Sequence, residues 1–397
     1  MTTSFDNSFN RSITLPCGAI IKNRIVKSAM SDSLGNGEGN ATKAQARLYE
    51  KWAQGGVGLS IIGEVQIDYR YPETPGNLFL SPTSDIQALR LLTKQATING
   101  AHIWPQLGHA GGLSYSKLSM PKGPSPLNTD NFQCSGMSLE EVLELPDQYA
   151  NAAKIAKKAG FTGVQIHAGH GFLLSQFLSP LFNHRQDQYG GDVSARCRLI
   201  IEIINKVRSE VGQSFPIGIK INSSDQLQGG LTQEEALEAI HILDKTSIDL
   251  IEISGGSYFP GAASSSDSTS TGPYFINFAK KARKYTTIPL VVTGGFKTRQ
   301  EVNTALASNE VEMIGLARAL VLMPDLVNNW NTESNITVEF PRFTSPPPGG
   351  ITAWYTMRIT AISNDDENDF DLDLHTAINT YEERDKTRCA RWQAKFI

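Results

Sequence analysis

The chain has 397 residues, 36 Lys and Arg against 40 Asp and Glu for a net charge of -4, and 40% hydrophobic residues. That composition excludes a disordered chain and supplies a large core; the small net charge offers no field for nucleic acid and no basic face for an anionic membrane. No stretch approaches the roughly 18 apolar residues of a membrane span, and the polar start MTTSFDNSFNRS does not read as a signal peptide.

Cys17, Cys134, Cys197 and Cys389 lie far apart, without CxxC or another close metal spacing. That spacing predicts reduced thiols in a cytoplasmic protein and no metal site.

Taken in chain order, residues 13–15 and 19–21 flank Pro16-Cys17-Gly18, which predicts a hairpin ahead of a repeating unit. Short apolar strands are then predicted over 25–29, 58–62, 102–107, 163–167, 217–221, 250–253, 290–293 and 311–315. They are apolar throughout rather than alternating, as parallel strands covered on both faces are. Helices are predicted over 42–54, 84–99, 146–158, 195–210, 232–244, 274–284, 299–308 and 318–326. Thr232 with Glu235 forms a capping box, and Gly160 closes the helix before it in the αL position.

Strand-helix units repeated over about 300 residues predict an α/β fold, a (β/α)₈ TIM barrel with the N-terminal β-hairpin plugging its bottom. A doubly wound sheet shares the local alternation, but no GxGxxG follows the first strand. Two segments exceed barrel spacing. One is the excursion 108–145 between the third strand and its helix; the other is the Ser- and Gly-rich 255–272 after the sixth strand. Both leave the C-terminal face and read as binding loops or plain surface. The barrel is expected over 1–345, and 346–397 as a C-terminal extension packed on or beside it, with the acidic run 365–373 solvated.

Chemistry should collect where the strands end. The run Gln165-Ile166-His167-Ala168-Gly169-His170-Gly171-Phe172 leaves the fourth strand through a glycine, so His167 and His170 are placed to donate hydrogen bonds to one developing oxyanion. Lys220 sits inside an apolar strand and needs a partner there. It is suited to an anionic ligand, to Schiff-base chemistry, or to a buried ion pair with Glu64. Gln106 and His109 add polar groups to the same rim. Thr293-Gly294-Gly295 and Gly315-Leu316-Ala317-Arg318 end the seventh and eighth strands, where small residues and a cation suit a phosphate. A Schiff-base aldolase on Lys220 stays open on residues alone. Metal-dependent hydrolysis by His109, His167 and His170 lacks an Asp or Glu to complete the cluster.

Taken together these motifs resemble the old yellow enzyme family of FMN-dependent ene-reductases, also called the NADH:flavin oxidoreductase family. The resemblance spans roughly residues 10 to 345. It rests on IKNRIV at 21–26, QLGHAG at 106–111, IHAGHGFLLSQFLSPLFNHRQDQYGGDVSARCR at 166–198, IEISGG at 251–256 and IGLARAL at 314–320.

The resemblance implies one non-covalent FMN, with NADH or NADPH as reductant. It implies flavin contacts from Ser28, Ala29, Met30, Gly63 or Glu64, Gln106 and Lys220, and phosphate contacts around Gly294, Gly295, Ala317 and Arg318. Lys220 then stands near flavin N1 and O2, where its charge favours the reduced anion. The implied reaction is hydride transfer from flavin N5 to a small electrophilic alkene whose carbonyl or nitro oxygen sits between His167 and His170.

The chain departs from the family pattern at several positions. Phe172 stands in place of the tyrosine that donates the final proton, which leaves solvent or another residue such as Tyr115 as its source. Ser31 replaces a cysteine of one branch, Gly112 an arginine, and Ser194-Ala195 a Glu-Asn pair. A flavin-binding barrel with little ene-reductase turnover fits the Phe172 change. Partner protein, membrane and nucleic acid are not implied, and a monomer and a homo-oligomer are both compatible.

Overall fold

The computed structural model describes residues 8–129, 132–259 and 272–397. Eight parallel strands close a barrel, each paired with its sequence neighbour and the last with the first. They are β1 (Ile25–Lys27), β2 (Leu59–Gln66), β3 (His102–Gly108), β4 (Val164–Ala168), β5 (Ile217–Asn222), β6 (Leu250–Ser254), β7 (Leu290–Thr293) and β8 (Met313–Leu316). The principal helices outside are α1 (Lys43–Gln54), α2 (Ile86–Ala96), α3 (Leu139–Ala159), α4 (Val193–Val211), α5 (Gln233–Leu243), α6 (Ile276–Ala282), α7 (Arg299–Ala307) and α8 (Arg318–Leu322).

The strands are buried along nearly their whole length because helices cover the outside and side chains fill the inside. The hairpin of Ile13–Thr14 and Ile20–Ile21 seals the N-terminal end. There Ile13, Leu15 and Ile21 pack with Val26, Leu59, Trp104, Leu250, Val291 and Met313.

Local signals place most boundaries. Ser138, Thr232 and Thr298 cap their helices through complete capping boxes, each worth about 1 kcal/mol. Gly160 ends α3 at φ 94, a conformation that a side chain would strain. Two boundaries differ from the sequence reading. The third helix starts at Leu139 rather than 146 and carries Pro146 inside it at the loss of one backbone hydrogen bond. Strand β2 runs on to Gln66 through a register shift between Ile62 and Val65, and this irregularity sets Glu64 at φ 56.

The excursion after β3 holds a small sheet of Lys122–Gly123, Leu127–Thr129 and Phe132–Gly136. Most of the Ser-rich segment after β6 lies outside the described residues.

After the barrel come α9 (Gly350–Ser363) and α10 (Leu374–Phe396). Helix α9 lies against α1 and α8, with Arg358 donating to the Val321 carbonyl at 3.2 Å. Helix α10 reaches the loops after β1, β2 and β3. Arg388 donates to Ser33 O at 2.6 Å, Trp392 to Tyr69 O at 3.1 Å and Gln393 to Lys117 O at 3.4 Å. Gly37 permits this approach, since a Cβ there would lie 2.9 Å from the Arg388 Cα. In the acidic run, Asp365 and Glu367 pair with Lys51 of α1 at 2.7 and 2.5 Å, so that stretch is tied down as well as solvated. Among the described residues no helix is long and apolar enough to cross a membrane.

Candidate active site

Because the barrel is parallel and closed, every side chain that follows a strand end faces the same mouth. That geometry gathers the candidates from β1 through β8 at one end.

At the centre lies a chain of buried polar groups crossing the barrel. Gln106 donates to Gln165 Oε1 at 2.7 Å and Gln165 to Glu252 Oε2 at 2.7 Å. Thr293 donates to Glu252 Oε1 at 2.7 Å, and its hydroxyl lies 2.8 Å from that of Ser28. Lys220 Nζ closes on Glu252 Oε1 at 3.1 Å, with side chains 2% and 0% exposed. The register pairs Lys220 with Glu252 on one side and with His167 on the other, so three charged or polar groups share one level.

Glu252, not Glu64, is therefore the partner of Lys220. Burial raises the Glu252 carboxyl, but the Lys220 charge and the hydrogen bonds from Gln165, Thr293 and Ser28 outweigh it, and the net direction is down. Glu252 was legible: IEI in β6 carries a charge inside an apolar strand just as IKI in β5 does.

Lys27 was also missed by sequence reasoning. Its ammonium donates to Ser28 O at 2.9 Å and lies 4.4 Å from the Trp52 ring, and burial pushes its pKa down to about 7, with Lys220 adding to the shift.

The two histidines come together with ring centres 5.2 Å apart, but their environments differ. The Nδ1 of His167 accepts from Gly169 N at 3.3 Å, which leaves the proton on Nε2. That Nε2 is buried, has no hydrogen-bond partner and lies 3.5 Å from Glu64 Oε1. Burial, then Lys220, pushes its pKa down to about 3, so the ring is neutral. The Nε2 of His170 is engaged by Ser254 Oγ at 2.7 Å, and the residue is held at φ 59 by Asn222, whose side chain accepts from His170 N at 3.0 Å. The pair does not present two free donors to one oxygen; His167 presents one. His109 adds another orphaned, neutral Nε2, its ring stacked 4.6 Å from that of Tyr71 and its pKa pushed down to about 4 by burial.

Glu64 is buried beside His167, and burial pushes its pKa up to about 8 against the opposing charge of Lys220. Glu73, from the loop after β2, is likewise pushed up to about 8, by burial and by the charge of Glu64. The phenyl ring of Phe172 lies 5.1 Å from His167, and no proton donor stands at that position. Tyr115 points elsewhere: its phenol is bonded to Cys389 of α10 and is pushed up to about 12, first by burial and then by Cys389.

At the β7–β8 side, Gly294 and Gly295 adopt φ 104 and 87, and a Cβ on Gly295 would fall 2.1 Å from Gly272 O. Gly315 is as tightly bounded, by Thr293 Oγ1 and Ser28 Oγ at 2.0 and 2.3 Å. Ala317 precedes Arg318, whose guanidinium lies over the Phe340 and Tyr355 rings at 5.7 and 5.8 Å and makes no ion pair among the described residues. On the β1–β2 side, Ser28, Ala29 and Met30 run directly beside Gly63, where a Cβ would meet the Met30 carbonyl at 2.4 Å. Among the described residues no group of His, Cys, Asp or Glu converges to hold a metal ion.

This geometry agrees with what the chain is similar to. The model of the NADH:flavin oxidoreductase / NADH oxidase family matches residues 14–336. The NADH-dependent flavin oxidoreductase iliE of Hypocrea jecorina is 32% identical over 394 residues, covering 88% of this chain and 96% of its own length. A cinnamate reductase of Clostridium sporogenes is 29% identical; 78% of this chain is covered, and the chain spans only 50% of that protein. In fold, the old yellow enzyme homologue of Zymomonas mobilis superposes with a TM-score of 0.72 at 24% identity, covering 88% of this chain and 98% of that one. The family match sets aside the aldolase reading of Lys220, which the structure spends on Glu252 instead. The chain belongs to the NADH:flavin oxidoreductase / NADH oxidase family, that of old yellow enzyme, and is a flavin-dependent oxidoreductase that uses a nicotinamide cofactor.

Proposed function

We propose that the protein reduces activated alkenes with FMN as its flavin and NADH or NADPH as its reductant. The observation that carries this reading is the His167 Nε2–H: a neutral donor, buried and unpartnered, at the mouth of the barrel. A buried donor without an acceptor costs about 1–3 kcal/mol, and an electron-rich oxygen on a substrate would relieve that cost.

The residues present fit FMN. Gly294, Gly295 and Gly315 leave space that a Cβ would fill, and the unpaired Arg318 suits a phosphate. Gln106, Lys220 and the backbone of 28–30 and 63–64 suit the ring. Bound there, FMN supplies a hydride carrier between the nicotinamide and the alkene. Lys220 holds positive charge at the ring site while Glu252 fixes its position. His167 binds the carbonyl or nitro oxygen and stabilises the negative charge that grows there in the transition state. Ser254 and Asn222 hold His170 and its turn in place.

The purified protein should show a yellow flavin spectrum that bleaches on anaerobic addition of NADH or NADPH and recovers with 2-cyclohexenone. A colourless protein that takes up no FMN overturns the reading. His167→Ala should keep the flavin, lose binding of phenolic ligands and reduce the enone about 10²–10³-fold more slowly. His170→Ala should do markedly less, because its Nε2 is already bonded to Ser254; ligand titration and stopped-flow reoxidation measure both. The second reading, a flavin barrel with little alkene turnover, draws on Phe172. Bleaching by NADH without reoxidation by any alkene would select it.

A further inference from the structure

We propose that Tyr258, carried by the segment after β6, donates the proton that completes alkene reduction, in place of the phenol missing at Phe172. This assignment rests on the alkene-reductase reading and deepens it.

The Tyr258 ring lies 5.6 Å from Phe172 and 5.8 Å from His170, centre to centre. It thus joins the ring group formed by His167, His170 and Phe172 and brings a phenol to it. Its support is fixed. Tyr258 N donates to His170 O at 3.0 Å, and Ser257 forms a parallel bridge with His170. Phe259 N donates to Ser257 Oγ at 3.1 Å, and the Phe259 ring stacks on Phe182 at 4.2 Å and meets Phe132 at 4.7 Å. Gly171, at φ 81, lets this strand approach, since a Cβ there would fall 2.2 Å from Ser257 Oγ. The turn that carries the histidines and the turn that carries Tyr258 are therefore one unit.

Tyr258 also has what a donor needs in order to turn over. The phenol is held protonated by burial and by the carboxyls of Glu64 and Glu73; because the residue is 65% exposed, solvent weakens the burial contribution and the direction rests on the two acids. The same exposure gives water a path to recharge it.

The step balances. Hydride from the reduced enzyme forms a C–H bond at the β-carbon, and the π electrons pass to the activating oxygen, which His167 holds. The Tyr258 O–H bond then breaks and its proton joins the α-carbon as the electron pair returns to form that C–H bond. The phenolate takes a proton from water.

The test uses the holoenzyme and Tyr258→Phe with two acceptors, 2-cyclohexenone and β-nitrostyrene. General-acid catalysis contributes about 10²–10⁴-fold, so enone reduction should fall by at least about 10²-fold. The nitroalkene needs no acid to accept hydride, because its nitronate is a stable anion. The variant should therefore consume it and release nitronate, seen by ultraviolet absorption, where the parent releases nitroalkane. Phe172→Tyr placed on the Tyr258→Phe background should restore enone reduction and abolish nitronate release.

A variant that reduces both acceptors as the parent does, or that loses nitroalkene consumption together with enone reduction, overturns the assignment. A parent that bleaches with NADH yet reduces neither acceptor overturns the alkene-reductase reading, and this assignment with it.

Discussion

Lys220→Met should destabilise the protein by about 3–5 kcal/mol, because it strands the Glu252 carboxylate in the barrel without its cation. Urea denaturation of the flavin-free protein at pH 7 measures the loss. Adding Glu252→Gln should recover most of it, since a neutral amide needs no counter-charge and can keep the bonds to Gln165 and Thr293.

The pH dependence provides a further check. The folded-state value of Glu252 lies below its ordinary 4.5, so the pair stabilises the fold fully above about that pH and loses this contribution as pH falls through the depressed folded value. Without Lys220, burial alone acts and raises the carboxyl, so the gap between parent and variant should narrow on acidification. Function should separate from stability in the double variant: its fold is restored, yet its flavin should be harder to reduce because the positive charge is gone. A double variant with the parent's midpoint potential would remove Lys220 from redox tuning.

The same pair shows how far the sequence could be read. Strands buried on both faces leave an unbroken apolar signature, so the barrel and the order of its rim residues were legible from hydropathy alone. Which rim residues touch was not, because that depends on register. Glu64 and Glu252 are both acids on strands near Lys220, and the one-to-one pairing of β5 with β6 is what selects Glu252. Glu64 was displaced by the irregularity in β2, which no composition rule announces. Pro146 misled the reading of α3, since a proline inside a helix looks the same in sequence as one that begins it. Tyr258 was hidden in a segment that reads as Ser- and Gly-rich linker; its meaning comes from the bridge between Ser257 and His170. Helix α10 has a mostly polar surface pattern, and its docking is carried by Trp392 and Arg388 bonding to backbone carbonyls.

Glu64→Gln should remove an alkaline weakness that the parent carries. Both Glu64 and Glu73 are pushed up to about 8 by burial, from an ordinary value of 4.5. A carboxyl raised on folding stabilises fully below the unfolded value and loses that contribution as pH rises through the folded one. The parent should therefore lose stability between about pH 4.5 and pH 8, and denaturation at pH 5, 7 and 9 should show a shallower decline in Glu64→Gln. Glu73 remains in that variant without the neighbouring charge, so its own value should fall back toward the ordinary range.

The effect on ligands should be larger. Above pH 8 the Glu64 carboxylate lies at the His167 Nε2 that would receive an anionic oxygen. Like charges about 7 Å apart repel by roughly 2 kcal/mol at an effective dielectric of about 20. Binding of phenolates to the parent should therefore weaken at least about tenfold between pH 7 and pH 9, after allowing for the ligand's own ionisation. In Glu64→Gln that loss should vanish, because the amide carries no charge at any pH, and His167 should bind the phenolate across the range. Titration by the charge-transfer absorbance of the bound phenolate reads both arms. An equal alkaline loss in parent and variant would place the titrating group elsewhere and leave Glu64 a structural acid.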